Sequence, residues 1–140
     1  MNVIFVSPQF PSVYWQFCAA LRHNGARALG IGDTPWEALA EEVRASLDEY
    51  YWVSDLEVYR AVAYFSYRYG KPDWIESNNE HWLAQDARLR EDFNVASGPR
   101  PETLARWQSK AAQKPLYAAA GVPTARQTRL TSFDETRWFI

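Results

Sequence analysis

Four short runs of apolar, β-branched or aromatic residues recur along this chain, and each is followed by residues with helical spacing. That alternation restricts the fold more than any other feature. The runs are Val3-Ile4-Phe5-Val6, Ala28-Leu29-Gly30-Ile31, Tyr50-Tyr51-Trp52-Val53 and Asp73-Trp74-Ile75-Glu76-Ser77. A continuous apolar run is what a strand covered on both faces requires. After the first, Tyr14, Phe17, Cys18 and Leu21 fall at i, i+3, i+4 and i+7, with Ser12 as the expected cap and Asn24-Gly25 as the stop. Thr34-Pro35-Trp36-Glu37 reads as a capping box that opens a short helical region to about Ser46. Val58, Ala61, Val62, Phe65 and Tyr69 give a helix over Leu56–Tyr69 its apolar face, and Gly70 closes it. Asn78 or Asn79 is expected to cap a helix running to about Phe93. Strand–helix alternation implies right-handed βαβ units. The fold expected is α/β: a three-layer, Rossmann-like, doubly wound domain on a mainly parallel sheet of four or five strands. Functional groups should then gather at the C-terminal strand ends, in the loops after Val6, Ile31, Val53 and Ser77.

Composition narrows the function. The 140 residues suit one domain, and 47% hydrophobic with 16% aromatic residues supplies a core. A formal net charge of -2, without a long run of either sign, gives no electrostatic case for nucleic acid. The single cysteine, Cys18, precludes an internal disulfide and fits a reducing compartment. The start of the chain lacks the basic region of a signal peptide, and no apolar run approaches the ~18 residues that span a bilayer. A cytoplasmic protein with no membrane partner is expected.

Several motifs bear on chemistry. The first strand-to-helix loop, Ser7-Pro8-Gln9-Phe10-Pro11, contains no glycine, so backbone amides cannot close on a pyrophosphate as in a dinucleotide site. It reads as a rigid turn or as the lining of a pocket, with Gln9 its candidate substrate contact. Gly30-Ile31-Gly32 is followed by Pro35 where a third glycine would belong. Cys18, on an apolar stripe, reads as a packed small hydrophobe, and His23 and His81 lie too far apart to suggest a metal site. Catalytic residues and metal ligands are expected to be absent from this chain. Glu76-Ser77-Asn78-Asn79-Glu80 sets many hydrogen-bonding groups at one strand end. Helix capping and dipole compensation are one reading; positioning of a polar substrate by Glu76, Asn78 and Asn79 is the other. Asp86, Arg88, Arg90, Glu91 and Asp92 read as a solvated, ion-paired helix face. Ser109 is expected to cap a helix whose first turn holds Lys110. The helix dipole disfavours a cation there by about 0.3–1 kcal/mol. Lys110 is thus either an ordinary surface lysine or the neighbour of an anion.

The order of these motifs resembles the N-terminal domain of ATP-grasp ligases, of the biotin carboxylase and carbamoyl-phosphate synthetase type. Glu76-Ser77-Asn78-Asn79 stands where such domains carry a Ser-Glu-Asn turn. Gly98-Pro99 precedes Glu102-Thr103 as their Gly-Pro precedes a Glu-Thr helix, and Ser109-Lys110 stands in place of an Asp-Lys pair, with Gly121-Val122-Pro123 beyond. The resemblance implies ATP and Mg2+ as cofactors of the full-length protein, with Lys110, and secondarily Lys114, meeting the nucleotide. It implies a carboxylate and an amine as substrates, joined through an acyl-phosphate, and C-terminal ATP-grasp domains of the same chain as partners. It leaves room for a homodimer. Residues 1–126 would form the N-terminal domain, and residues 127–140 the start of the next, where Ser132-Phe133-Asp134-Glu135 is a fresh capping box ahead of Trp138-Phe139-Ile140. The metal ligands would lie outside these residues, and the fragment alone would be inactive. Pro115 removes a backbone donor inside the Lys110 helix, so a kink is expected. The alternative is a stand-alone small-ligand binding or regulatory module of the same fold.

Overall fold

The structure, a computed structural model, describes residues 1–54, 58–129, 132, 134 and 137. The sheet is built from β1 (Asn2–Val6), β2 (Arg27–Gly32), β3 (Glu49–Trp52) and β4 (Trp74–Glu76), all parallel, in the order β3-β2-β1-β4. Val6 lies beside Ile31, Phe5 beside Glu76, and Gly32 beside Trp52. The chain moves outward from β1 through β2 to β3, then returns to the far side of β1 for β4. The crevice between the ends of β1 and β4 is therefore the topological switch point, where open α/β sheets bind ligands.

Helices α1 (Trp15–His23), α2 (Glu41–Ser46), α3 (Val58–Tyr69) and α4 (Leu83–Asp92) cover the sheet. Alternation within β1 sends its side chains to two cores. Ile4 and Val6 join Leu29, Ile31 and Ile75 against Val58, Val62 and Phe65 of α3 and Leu89 of α4. Phe5 joins Ala28 against Cys18 of α1, Val43 of α2, and Leu39 and Leu47. The Cys18 thiol is packed as the sequence suggests, and burial pushes it up to about 12, far from a nucleophilic thiolate. Gly30 serves packing too: a Cβ there would lie 2.7 Å from Leu47 Cδ1.

The chain forms two compact units, Met1–Pro101 and Glu102–Ile140. Helix α5 (Pro101–Gln108) starts at the last residue of the first unit and otherwise belongs to the second, as does α6 (Lys110–Ala119). Ser109 caps α6 as the sequence implies, its Oγ accepting from the Ala112 N–H at 3.2 Å. The helix runs through Pro115. No helix among the described residues is long and apolar enough to cross a membrane.

Three local expectations change. Ser12 does not cap α1; Tyr14 precedes it without a side-chain cap, after a turn in which the Tyr14 N–H donates to the Pro11 carbonyl. Thr34 opens no capping box, because the segment makes only a 3-10 turn, Trp36–Ala38, before α2. The Thr34 carbonyl instead accepts from the Tyr50 hydroxyl at 2.8 Å. Asn79 caps the turn before α4, its Oδ1 accepting from the His81 N–H at 3.0 Å, and the helix begins at Leu83. Of the helix expected from Leu56, residues 56 and 57 lie outside the described residues, as do residues 133 and 135 of the second capping box and the Trp138-Phe139-Ile140 end.

Candidate functional site

The strand ends near the switch point carry unusual backbone. Ser7, just after β1, has φ 60, and Asn78, just after β4, has φ 53. Left-handed backbone of this kind costs on the order of 1–3 kcal/mol in a residue other than glycine and gathers at functional sites. Each is held by long-range bonds. The Ser7 N–H donates to the Ile31 carbonyl at 2.7 Å. The Tyr14 hydroxyl donates to the Asn78 carbonyl at 2.6 Å.

The turn after β4 rests on charges that the sequence reading placed in solvent. Asp86 and Arg90 sit on α4 but are fully buried. Arg90 donates from Nη2 to Glu76 Oε2 at 2.9 Å, from Nε to the Ile75 carbonyl at 2.9 Å, and from Nη1 to the Pro99 carbonyl at 3.1 Å. Glu76 Oε1 in turn accepts from the Ser77 and Asn78 N–H groups, both at 3.1 Å. Glu76 is thus committed at both oxygens to shaping the turn. Gly98 packs on Arg90: its φ is 90, and a Cβ there would lie 2.7 Å from the guanidinium Nε. The Gly98-Pro99 motif therefore has a structural reason of its own. Asp86 accepts from the Ser77 hydroxyl at 2.5 Å, and its Oδ1 is buried without a partner. Burial raises the Asp86 carboxyl to about 6, with the Glu76 charge adding to the rise while the Ser77 bond and Arg90 oppose it.

Above this platform lies a polar cleft of about 590 Å³. The loop after β1 contributes Ser7, Gln9 and Phe10; the end of β2 contributes Asp33 and Thr34; the loop after β4 contributes Asn79, His81 and Trp82. Gln9 donates from Nε2 to Asp33 Oδ1 at 2.9 Å, and its own Oε1 is buried without a partner. The amide lies over Gly32, where a Cβ would stand 2.7 Å from Oε1 and 2.6 Å from the Tyr50 hydroxyl. Neither glycine of Gly30-Ile31-Gly32 thus leaves an open cradle for phosphate. Burial, then the Asp33 charge, pushes the Tyr50 hydroxyl up to about 12. The Asp33 carbonyl accepts from the Trp52 indole at 3.1 Å, and His81 packs edge-on to Trp82 at 4.4 Å between centroids.

The structure brings Gln9 and Asn79 together in this cleft. Glu76 and Asn78 line a different one, an apolar trough of about 550 Å³ beside Phe5, Phe17 and Trp74. Lys110 is exposed in the first turn of α6, and the Lys114 ammonium donates to the Ala125 carbonyl. Asp33 and His81 were not singled out from sequence as ligand contacts. Asp33 had a signal, since it follows the second strand directly, at one of the strand ends the topology marks. No group of three or more histidine, cysteine or acidic side chains able to hold a metal occurs among the described residues.

Fold and cleft together define a Rossmann-like α/β domain with a polar cleft at the sheet switch point. Among solved structures, phosphoribosylglycinamide synthetase from Anaerococcus prevotii shares this fold, with a TM-score of 0.59 at 13% identity. The likeness covers 97% of this chain and 33% of that one, so the chain spans about a third of that protein's length. No protein-family model and no curated protein matches the sequence.

Proposed function

We propose that this chain is the N-terminal domain of an ATP-grasp ligase that joins a carboxylate to an amine through an acyl-phosphate. The observation that carries the reading is the fold shared with phosphoribosylglycinamide synthetase, an ATP-grasp ligase, along nearly the whole chain. The order Gly98-Pro99, Ser109-Lys110, Gly121-Val122-Pro123 supports it. The residues support a division of labour. The cleft bounded by Gln9, Asp33 and Asn79 orients a polar substrate on a rigid platform, which is worth most when the reacting atoms are held in near-attack geometry. Lys110, exposed and unshielded by acidic neighbours in the first turn of α6, suits contact with a nucleotide phosphate. Lys114 is the weaker candidate, since its ammonium is already engaged by Ala125. This reading assigns the magnesium ligands to the ATP-grasp domains; the described residues offer no ligand cluster. ATP, when bound, supplies the phosphoryl group that activates the carboxylate.

The test is complementation. The 140 residues alone, given ATP, Mg2+ and candidate substrates, should release no phosphate, whereas joining them to ATP-grasp domains should restore turnover. Substrate-dependent phosphate release from the 140 residues alone would overturn the reading.

A further inference from the structure

We infer that the cleft between the ends of β1, β2 and β4 takes a small primary ammonium compound carrying a neighbouring carbonyl or hydroxyl oxygen, and that it rejects phosphorylated ligands. This rests on reading that cleft as the substrate site. Among the described residues Asp33 is its only acidic side chain, and neither lysine nor arginine lines it. A phosphate there would meet a carboxylate with no lysine or arginine beside it, whereas an ammonium would gain one charge-assisted bond. The Gln9 amide is oriented by that same carboxylate: Nε2 must face Asp33 Oδ1, so Oε1 is the atom left over. A buried acceptor without a donor costs about 1–3 kcal/mol, a cost that an incoming N–H group would relieve.

Asn79 sets the ligand's other end. Asn79 spends its Oδ1 on the His81 N–H, which leaves its Nδ2 as a donor toward a ligand oxygen. Ser7 and Thr34 add hydroxyls of either sense. The ammonium side of the cleft is thus Asp33 with Gln9, and the oxygen side is Asn79. Gly32 is the feature that makes room for the arrangement, since a Cβ would displace the Gln9 amide.

The experiment is a nitrogen-edited NMR titration of the protein with three probes: alaninamide, its neutral analogue lactamide, and inorganic phosphate. Alaninamide should shift the side-chain amides of Gln9 and Asn79 saturably, and lactamide at least tenfold more weakly. Phosphate should leave both unmoved. Asp33→Asn keeps an acceptor for Gln9 but removes the charge, and should weaken alaninamide at least tenfold while leaving lactamide within twofold. Saturable phosphate binding at Gln9 and Asn79, or equal alaninamide affinity in Asp33→Asn, would overturn the assignment of ligand class and leave the cleft as the site. Saturable shifts confined to residues away from the cleft would overturn both.

Discussion

Replacing Arg90 with methionine tests the platform beneath the cleft. Methionine fills most of the same volume but removes three donors at once, those to Glu76, Ile75 and Pro99. Arg90 is fully buried, while the Glu76 side chain keeps 22% of its exposure. Breaking a buried pair by removing one partner costs about 3–5 kcal/mol, because the remaining charge is left uncompensated. Glu76 can recover part of its hydration at that exposure, which places the pair at the low end. The Ile75 and Pro99 carbonyls then each lose a charged donor. With about 3 kcal/mol for the pair and about 1 kcal/mol for each carbonyl, a total of about 5 kcal/mol follows, equivalent to a fall in Tm of roughly 15–20 °C for a chain of this size. Thermal unfolding followed by circular dichroism measures it. A double-mutant cycle with Glu76→Gln isolates the pair, whose coupling should exceed about 1 kcal/mol. A Tm within 3 °C of the parent protein would refute the reasoning, since Arg90 would then be dispensable to the turn.

Asp86 gives a pH prediction. Its folded carboxyl lies at about 6 against an ordinary 3.8, so the folded state holds the proton more tightly than the unfolded chain. The associated stability is complete below the ordinary value and is lost as pH rises through about 6. Asp86→Asn should therefore gain on the parent protein by up to roughly 3 kcal/mol between pH 4 and pH 7 in urea unfolding; a difference independent of pH would contradict this. Gly32→Ala should collide with Tyr50 and Gln9, destabilise the protein by about 1–3 kcal/mol and weaken alaninamide at least tenfold, as read by unfolding and NMR. Ser109→Ala removes the α6 cap and should cost about 1 kcal/mol, seen as faster amide exchange at Ala112.

The alternation of apolar runs such as Val3–Val6 with helical stripes such as Tyr14–Leu21 was enough to place the parallel sheet and the helices covering it, because hydrophobic period is a local property of sequence. Caps were less legible. Ser12 and Thr34 carry the right chemistry, but Thr34 is held by Tyr50, a partner 16 residues away that no local pattern announces. Arg90 and Asp86 misled for the same reason. An acid and a base four apart on a helix read alike whether they face solvent or a buried turn. What buries these two is Glu76 and Ser77 on β4 and the Gly98-Pro99 turn, and only the fold brings those together. Of the four substrate contacts expected from sequence, Gln9 and Asn79 line the polar cleft, while Glu76 and Asn78 line the apolar trough.

The central claim divides substrate and nucleotide contacts between Asn79 and Lys110. Steady-state kinetics of Asn79→Ala and Lys110→Ala in the ligase containing both its ATP-grasp domains and this chain test it most directly. Asn79→Ala should raise the KM for the amine about tenfold and leave that for ATP within twofold. Lys110→Ala should do the reverse. If both variants moved the same KM, or neither moved one, the claim would be contradicted.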